Sequence, residues 1–432
     1  MAPNRALMSD RRDRVGEKSH EYTLLSLTLG GVIPRDMDNP KGKFPAQFNT
    51  YKVVRPNDFV FCLFDIDETP RGVGLSNHAG MITGAYDVFS PTHRVNPRFL
   101  YYYYLFVDQG KLMKPFYVGL RKTIQRGTFA GIKAPLPPTA EQAAIVRFLD
   151  HWNGRLEKAI RAKRRVIALL QEQKQAIIHR AVTRGLDPNV KLKDSGISWL
   201  GEIPEHWEVR RMKRVGQVKI GLTYSPGEMT DESGMLVLRA SNVRNGRIVP
   251  ADNVYVSKKV PAALLVCEGD ILICVRSGSR NLVGKAALIT KEFAGVTYGA
   301  FMSLLRSDIS PFLFWVLNSN LFSCVMAEFE TSTINQLTQS DLKNLLVPIP
   351  PEEEQSKIVE YLKSATSEVD RAIARYEREI TLLREYRTRL TADVVTGNLD
   401  VRTAAAQLPD PGEALAEAEN FEEEPELEEV EG

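Results

Sequence analysis

The stretch of this sequence closest to a known chemical device is Gly278-Ser279-Arg280-Asn281-Leu282-Val283-Gly284-Lys285-Ala286, which has the glycines and lysine of a phosphate-cradling loop. Such a loop needs four residues between its glycines and a hydroxyl after the lysine to hold magnesium. Here five residues intervene and Ala286 occupies the hydroxyl position, so the phosphate reading fails. Asn39-Pro40 is followed by Lys41 and lacks the second proline and aromatic ring with which an adenine methyltransferase holds a flipped base. Glu172-Gln173-Lys174 spaces a carboxylate and a lysine as a nuclease does, but it lies within a helical repeat whose solvated face accounts for it. The six histidines, at positions 20, 78, 93, 151, 179 and 206, never fall at metal-ligand spacing on one helix. No Gly-x-Ser-x-Gly elbow occurs. Cys62, Cys267, Cys274 and Cys324 form no C-x-x-C pair and read as buried thiols, without zinc or disulfides. No catalytic residue, metal or cofactor is therefore expected.

At 432 residues and 43% apolar, the chain can build two or three packed cores. No run approaches about 18 apolar residues, and the first twenty residues are charged without an apolar stretch. No membrane contact is expected, and the chain reads as cytoplasmic. The net charge of +2 conceals an asymmetry, because residues 410–432 hold eleven acidic residues and no basic one. Setting those aside leaves +13 on the remainder. The Ala/Glu/Pro-rich stretch from Glu413 to Glu431 has too little apolar surface to fold. The basic body suits a polyanionic partner.

What positions any functional residue here is a repeat. Sliding the chain by 213 residues aligns Pro137-Pro138-Thr139-Ala140-Glu141-Gln142 with Pro350-Pro351-Glu352-Glu353-Glu354-Gln355, without a gap as far as Leu186-Asp187 against Leu399-Asp400. Nineteen of the 53 positions from 135 to 187 are identical, which marks a duplication. Spacings of four and three predict one long helix in each copy. The first seam carries Ile145, Leu149, Trp152, Leu156, Leu170 and Ile177; the second carries Ile358, Leu362, Val369, Tyr376, Leu383 and Leu390. Prolines precede each helix, Thr139 with Gln142 fits a capping box, and Gly185 and Gly397 supply stops. A helix of roughly 45 residues is about 68 Å long and cannot cover its own seam, so the two copies are expected to pack on each other.

Upstream of each helix lies a strand-rich region. Asn57-Asp58-Phe59-Val60-Phe61-Cys62 echoes Gly269-Asp270-Ile271-Leu272-Ile273-Cys274, and Gly84-Ala85-Tyr86 echoes Gly299-Ala300-Phe301, each reading as a turn beside a buried strand. Tyr101 to Tyr104 read as packing residues. The expected class is α+β: two globular domains, each followed by a long helix, the helices packing as an antiparallel coiled coil with pseudo-two-fold symmetry. The boundaries are 1–134 and 135–187 for the first domain and helix, 188–200 for a linker, 201–347 and 348–400 for the second pair, and 401–432 for a disordered acidic tail.

Trp199-Leu200-Gly201-Glu202-Ile203-Pro204-Glu205-His206-Trp207-Glu208-Val209, Leu238-Arg239-Ala240-Ser241-Asn242-Val243, Gly269-Asp270-Ile271-Leu272 and Val347-Pro348-Ile349-Pro350-Pro351 with Glu354-Gln355 and Ile358 resemble, in order and spacing, the DNA specificity subunit of type I restriction-modification enzymes. The resemblance covers residues 195–402 directly and 50–190 by repetition. No Ile-Pro-Glu-His-Trp segment precedes Tyr22-Thr23-Leu24, so the first domain is expected to be atypical, with a shortened start. The resemblance implies two target recognition domains, each reading half of a bipartite site in double-stranded DNA. It implies paired helices that set the spacer, two methyltransferase subunits and restriction (endonuclease/translocase) subunits as partners, and no catalysis by this chain.

Base edges and phosphates are met by Arg, Lys, Asn and Gln on loops. The DNA-contact candidates are Arg239, Asn242, Arg244, Arg247, Arg276 and Arg280 in the second domain, and Arg71, Arg121, Lys122 and Arg126 in the first. The alternative is a non-catalytic coiled-coil adaptor not dedicated to DNA, against which the +13 body argues. Salt-dependent binding to random duplex DNA separates the two.

Overall fold

Phe59-Val60-Phe61 and Ile271-Leu272-Ile273-Cys274 are short apolar runs whose every side chain is buried. A strand sends alternate side chains to opposite faces, so such a run needs a core on each side. The computed structural model, which describes residues 1–35, 48–65, 68–277, 282–320 and 336–409, supplies both. Phe59 and Phe61 enter one cluster with Phe89, Tyr104 and Phe129, while Val60 points to Leu25, Val32, Ile82 and Val88. In the same way Ile271 and Ile273 join Leu305, Phe312 and Trp315, and Leu272 and Cys274 join Leu238, Tyr298 and Leu304.

The chain forms two compact units, one of Met1–Ala162 with the described residues from Arg378 on, the other of Lys163–Glu377. Each holds a four-stranded antiparallel sheet. In the first unit the strand order is Met8–Asp10, Asp87–Pro91, Phe59–Phe61, Val73–Leu75. In the second it is Gln217–Ile220, Met302–Arg306, Ile271–Cys274, Ala286–Leu288. The order and sense are the same in both. The helix Pro97–Gln109 packs on the first sheet and Ser310–Leu317 on the second. The weak sequence echoes upstream of the long helices therefore mark one fold used twice, in an α+β chain.

The tyrosine run sits on Pro97–Gln109 and packs. Tyr102 donates to Asp150 Oδ1 at 2.5 Å and the buried Tyr104 to Asn4 Oδ1 at 2.5 Å. Burial raises both phenolic pKa values and keeps the hydroxyls as donors.

The long helices span Thr139–Arg184 and Glu352–Val395. Within the first unit, Ile145, Leu149 and Phe148 of one share a core with Leu390, Val394 and Val395 of the other, and Arg387 pairs with Glu157 at 3.0 Å. Within the second unit, Ile178 and Val182 share a core with Ile358 and Leu362, Lys174 pairs with Asp370 at 2.6 Å, and the Lys163 ammonium lies 5.4 Å from the Tyr376 ring centre. Of the seam residues expected from sequence, all but Tyr386 of the second helix, which is exposed, are buried or half-buried. The buried stripe nevertheless includes Ile160, Ile178 and Ile380, which a strict seven-residue register passes over, while Gln173 and Tyr386, both placed on that register, are exposed. An unsupercoiled helix has 3.6 residues per turn, so its contact face drifts by about 20° per heptad.

Two further expectations are corrected. Gln142 does not close a capping box with Thr139; its amide donates to Pro137 O at 2.9 Å and accepts from Asn96 N at 2.6 Å. Gln355 makes the matching bond to Pro350 O at 2.8 Å, which is why Pro-Pro-x-x-Glu-Gln appears twice. Residues 401–409 belong to the fold and not to a disordered tail, because Val401 and Ala405 fill the first core and Arg147 donates to Leu408 O at 2.5 Å. Among the described residues no helix is long and apolar enough to cross a membrane.

Candidate nucleic-acid interface

The turn leading into each central strand is built on one device. Asn57 and Gly269 adopt φ of 69° and 86°, a region open to Asn and Gly at little cost. The aspartate that follows is buried and accepts from the backbone N–H three residues back, Arg55 N to Asp58 at 2.8 Å and Cys267 N to Asp270 at 2.7 Å. Each carboxylate is then gripped at two points by an arginine, Asp58 by Arg11 at 2.6 and 3.0 Å, Asp270 by Arg306 at 2.8 and 2.6 Å. These bonds raise the pKa of both guanidinium groups. Planar fork-to-carboxylate pairing of this kind fixes orientation as well as charge. These two arginines are scaffold, although composition alone would count them with the DNA-binding cations.

Of the second-unit candidates, Arg239 is committed within the protein, with Nη2 on Asp252 O at 2.5 Å and Oδ2 at 2.6 Å. Asn242 is corrected outright. It is fully buried, its Oδ1 accepts from Arg239 N, and its Nδ2 donates to Val249 O, Ala251 O and Asn253 Oδ1. No amide hydrogen remains for a base. Asn242 instead holds the hairpin Val243–Arg244 and Arg247–Ile248, whose turn is Asn245-Gly246 at φ of 49° and 76°. Arg244 and Arg247 face each other across it, both exposed, with no ion-pair partner among the described residues. Gly246 O accepts from Leu288 N at 3.4 Å. Leu288 is the partner of Ile271, so the hairpin lies toward one end of the central strand. Arg276 lies past the other end, exposed, with its guanidinium 5.2 Å from the Phe301 ring centre. The structure thus separates Arg276 from the Arg244 and Arg247 pair. Arg280 lies outside the described residues.

In the first unit Arg71 donates to Leu29 O at 2.8 Å and Arg126 pairs with Asp87 at 2.5 Å, so both are engaged internally. Arg121 and Lys122 fall in the turn bridged by Val118 and Thr123, where Gly119 and Lys122 have φ of 75° and 44°. Arg121 is exposed beside Leu120, whose side chain stands fully in solvent. Asp65 N donates to Arg121 O at 2.9 Å, which ties this turn to the end of the central strand.

The Ile-Pro-Glu-His-Trp segment has a definite place in the second unit. Trp207 is fully buried and its Nε1 donates to Glu354 Oε2 at 3.0 Å, while His206 Nε2 lies 2.8 Å from the same oxygen. Gly185, ending the first long helix at φ of 74°, fits against them; a Cβ there would come within 2.7 Å of Glu354 Oε1 and 3.3 Å of Trp207. The first unit opens on Ala2–Pro3, paired with Lys133–Ala134 as Glu208–Arg211 pairs with Leu346–Ile349.

Among the described residues no three His, Cys, Asp or Glu side chains gather as metal ligands. Cys267 is exposed, against the expectation of a buried thiol, and Cys324 lies outside the described residues; burial pushes the Cys62 thiol up and the Cys274 thiol up to about 11, so both stay protonated and unreactive.

The family model for the type I restriction modification DNA specificity domain matches residues 84–163 and 204–379. The EcoKI specificity subunit of Escherichia coli (strain K12), a type I restriction enzyme component, is 28% identical over 207 residues, which cover 46% of this chain and 44% of that protein. The MjaVIII specificity subunit of Methanocaldococcus jannaschii is 26% identical over 294 residues, 65% of each. The chain thus spans about half to two thirds of the length of these relatives. A solved chain from work on complex assembly and conformational transition of the type I R-M system is 17% identical and covers 92% of this chain and 97% of its own length at a TM-score of 0.65, a likeness of fold.

Proposed function

This chain belongs to the type I restriction modification DNA specificity family, and from that membership we propose that it is the non-catalytic, DNA-reading subunit of a restriction-modification complex. Its two globular parts, 1–134 and 201–347, each read one half of a bipartite duplex site. The helical segments 135–187 and 348–400 pack as an antiparallel coiled coil with pseudo-two-fold symmetry and fix the spacer, and residues 188–200 link the halves. Two methyltransferase subunits dock on the helices, restriction subunits complete the assembly, and the complex works in the cytoplasm.

The observation that carries this reading is the repetition of one reader fold, each copy leading into a long helix of shared sequence. Two readers of the same fold and different surface suit two unlike half-sites; two like helices suit two identical partners. The opposite running sense of Lys174 with Asp370 and Glu157 with Arg387 supports antiparallel pairing. Exposed Arg244, Arg247, Arg276 and Arg121 supply base and phosphate contacts. Arg239, Arg71 and Arg126 support the loops, and Arg280 and Lys122 remain contact candidates.

Long-read methylation mapping of cells carrying this chain with its methyltransferase tests the reading. The expected result is a two-part motif with a gap of constant length. A single uninterrupted motif, or methylation unrelated to this chain, overturns it.

A further inference from the structure

The two readers leave the central strand along the same path. Cys62 N donates to Gly72 O and Cys274 N to Lys285 O, both at 2.9 Å, and the residue after each cysteine accepts from a later segment, Leu63 O from Ile124 N and Val275 O from Leu337 N, both at 2.8 Å. The next residue is Phe64 in one unit and Arg276 in the other. Each lies on a ring supplied by the residue directly before the returning strand. Phe64 stacks on Tyr86 with centroids 6.1 Å apart and planes 18° apart; Arg276 lies over Phe301.

Packing does not account for the second pair. Phe301 is 57% exposed, Arg276 is exposed and has no carboxylate partner among the described residues, and an exposed cation–π contact stabilises little. The scaffold around it repeats down to the buried aspartate, which an arginine grips in both units, from beyond Met8–Asp10 in one and from the end of Met302–Arg306 in the other. Against that constancy, this matched position changes chemical class from ring to cation. A guanidinium lying on a ring spends its face on the stack and keeps its rim of N–H donors. That rim fits the O6 and N7 acceptors of guanine, whereas an aromatic ring fits the thymine methyl group.

Resting on the reading that both units recognise duplex DNA, we propose that this strand-end pair sets base preference in each half: Arg276, oriented by Phe301, reads a guanine, and Phe64 on Tyr86 meets a thymine methyl. Phe301 is a positioning residue, acting through Arg276.

The test is selection of duplexes from a random library by the full chain, followed by sequencing. The wild-type chain should enrich a two-part motif. The double substitution Arg276→Phe with Phe301→Tyr should lose a guanine at one position of one half, with discrimination there falling roughly tenfold to a hundredfold, and leave the other half and the gap unchanged. Arg276→Lys, which keeps the charge and loses the fork, should relax the same position while non-specific binding stays within about twofold. Phe64→Ala should relax one position in the other half only. If the substituted chains enrich the wild-type motif unaltered, the pair is not a specificity determinant. If the double variant enriches nothing, Arg276→Lys decides: an unaltered motif overturns the proposal and one relaxed position supports it. A wild-type chain that enriches no motif overturns the DNA reading itself, and this proposal with it.

Discussion

An arginine can reach a base only if nothing nearer claims its guanidinium. Charge and loop position picked out Arg239, Arg71 and Arg126 together with Arg244, Arg247 and Arg276, but each of the first three is held by one end of its guanidinium, on Asp252, Leu29 O and Asp87. Those partners lie 13, 42 and 39 residues away in sequence, beyond the reach of any local pattern. Asn242 fails for the same reason, since its acceptors lie across a hairpin that only the folded chain assembles. Arg244 and Arg247 survive because a two-residue Asn-Gly turn holds them in solvent. Each phosphate contact contributes about −0.9 to the slope of log K against log salt. Replacing both by Ala should make that slope shallower by up to about 2 in fluorescence-anisotropy titrations, with the thermal midpoint unmoved. An unchanged slope removes both from the interface.

At the scale of elements, the helices were legible because one pattern runs for more than forty residues twice, and their starts and stops are marked by proline and glycine. What the pattern did not give was the drift of the buried face, set by 3.6 residues per turn and visible only where Ile160, Ile178 and Ile380 turn inward. The sheets were less legible, since strands of three to five residues carry little periodicity and their order is set by long-range pairing. The role of Trp207 was legible only as a motif; the structure shows its indole donating to the carboxylate at the start of the second long helix. Glu354→Ala should cost about 1–3 kcal/mol in urea unfolding, because it leaves a buried donor unpaired. Glu354→Gln, which keeps an acceptor, should recover most of that loss; equal losses would mean the bond contributes nothing. His179, on the first long helix, has its pKa lowered by burial and then by Arg184. Below its ordinary value near 6.5 the unfolded chain takes up a proton that the folded chain resists, so stability present at neutral pH falls as pH drops from about 7. Solvent screens this half-buried group. His179→Gln should flatten the pH dependence of the thermal midpoint between about pH 7 and 5, and an identical profile in the variant assigns that dependence elsewhere.

For the whole molecule, the duplication has two rates of change built into it. Along the helices sequence and fold are both retained, whereas in the readers the strand order and the turns closed by Asp58 and Asp270 are retained while the exposed ends differ. On the proposed reading, a molecule whose readers change while its rods stay fixed acquires new half-sites without altering the gap between them. The converse change is the stronger test of the proposed ruler. Lys163 and Tyr376 face each other across the helix pair, so seven residues inserted after each would lengthen both rods together by about 10 Å and turn their faces by only about 20°. At about 3.4 Å per base pair, the mapped methylation motif should keep both half-sites and gain roughly three base pairs in its gap. Insertion into one helix alone breaks the register and should lower stability without producing a longer gap. A paired insertion that folds, methylates and leaves the gap at its original length would show that the helices hold the readers together without measuring the distance between them.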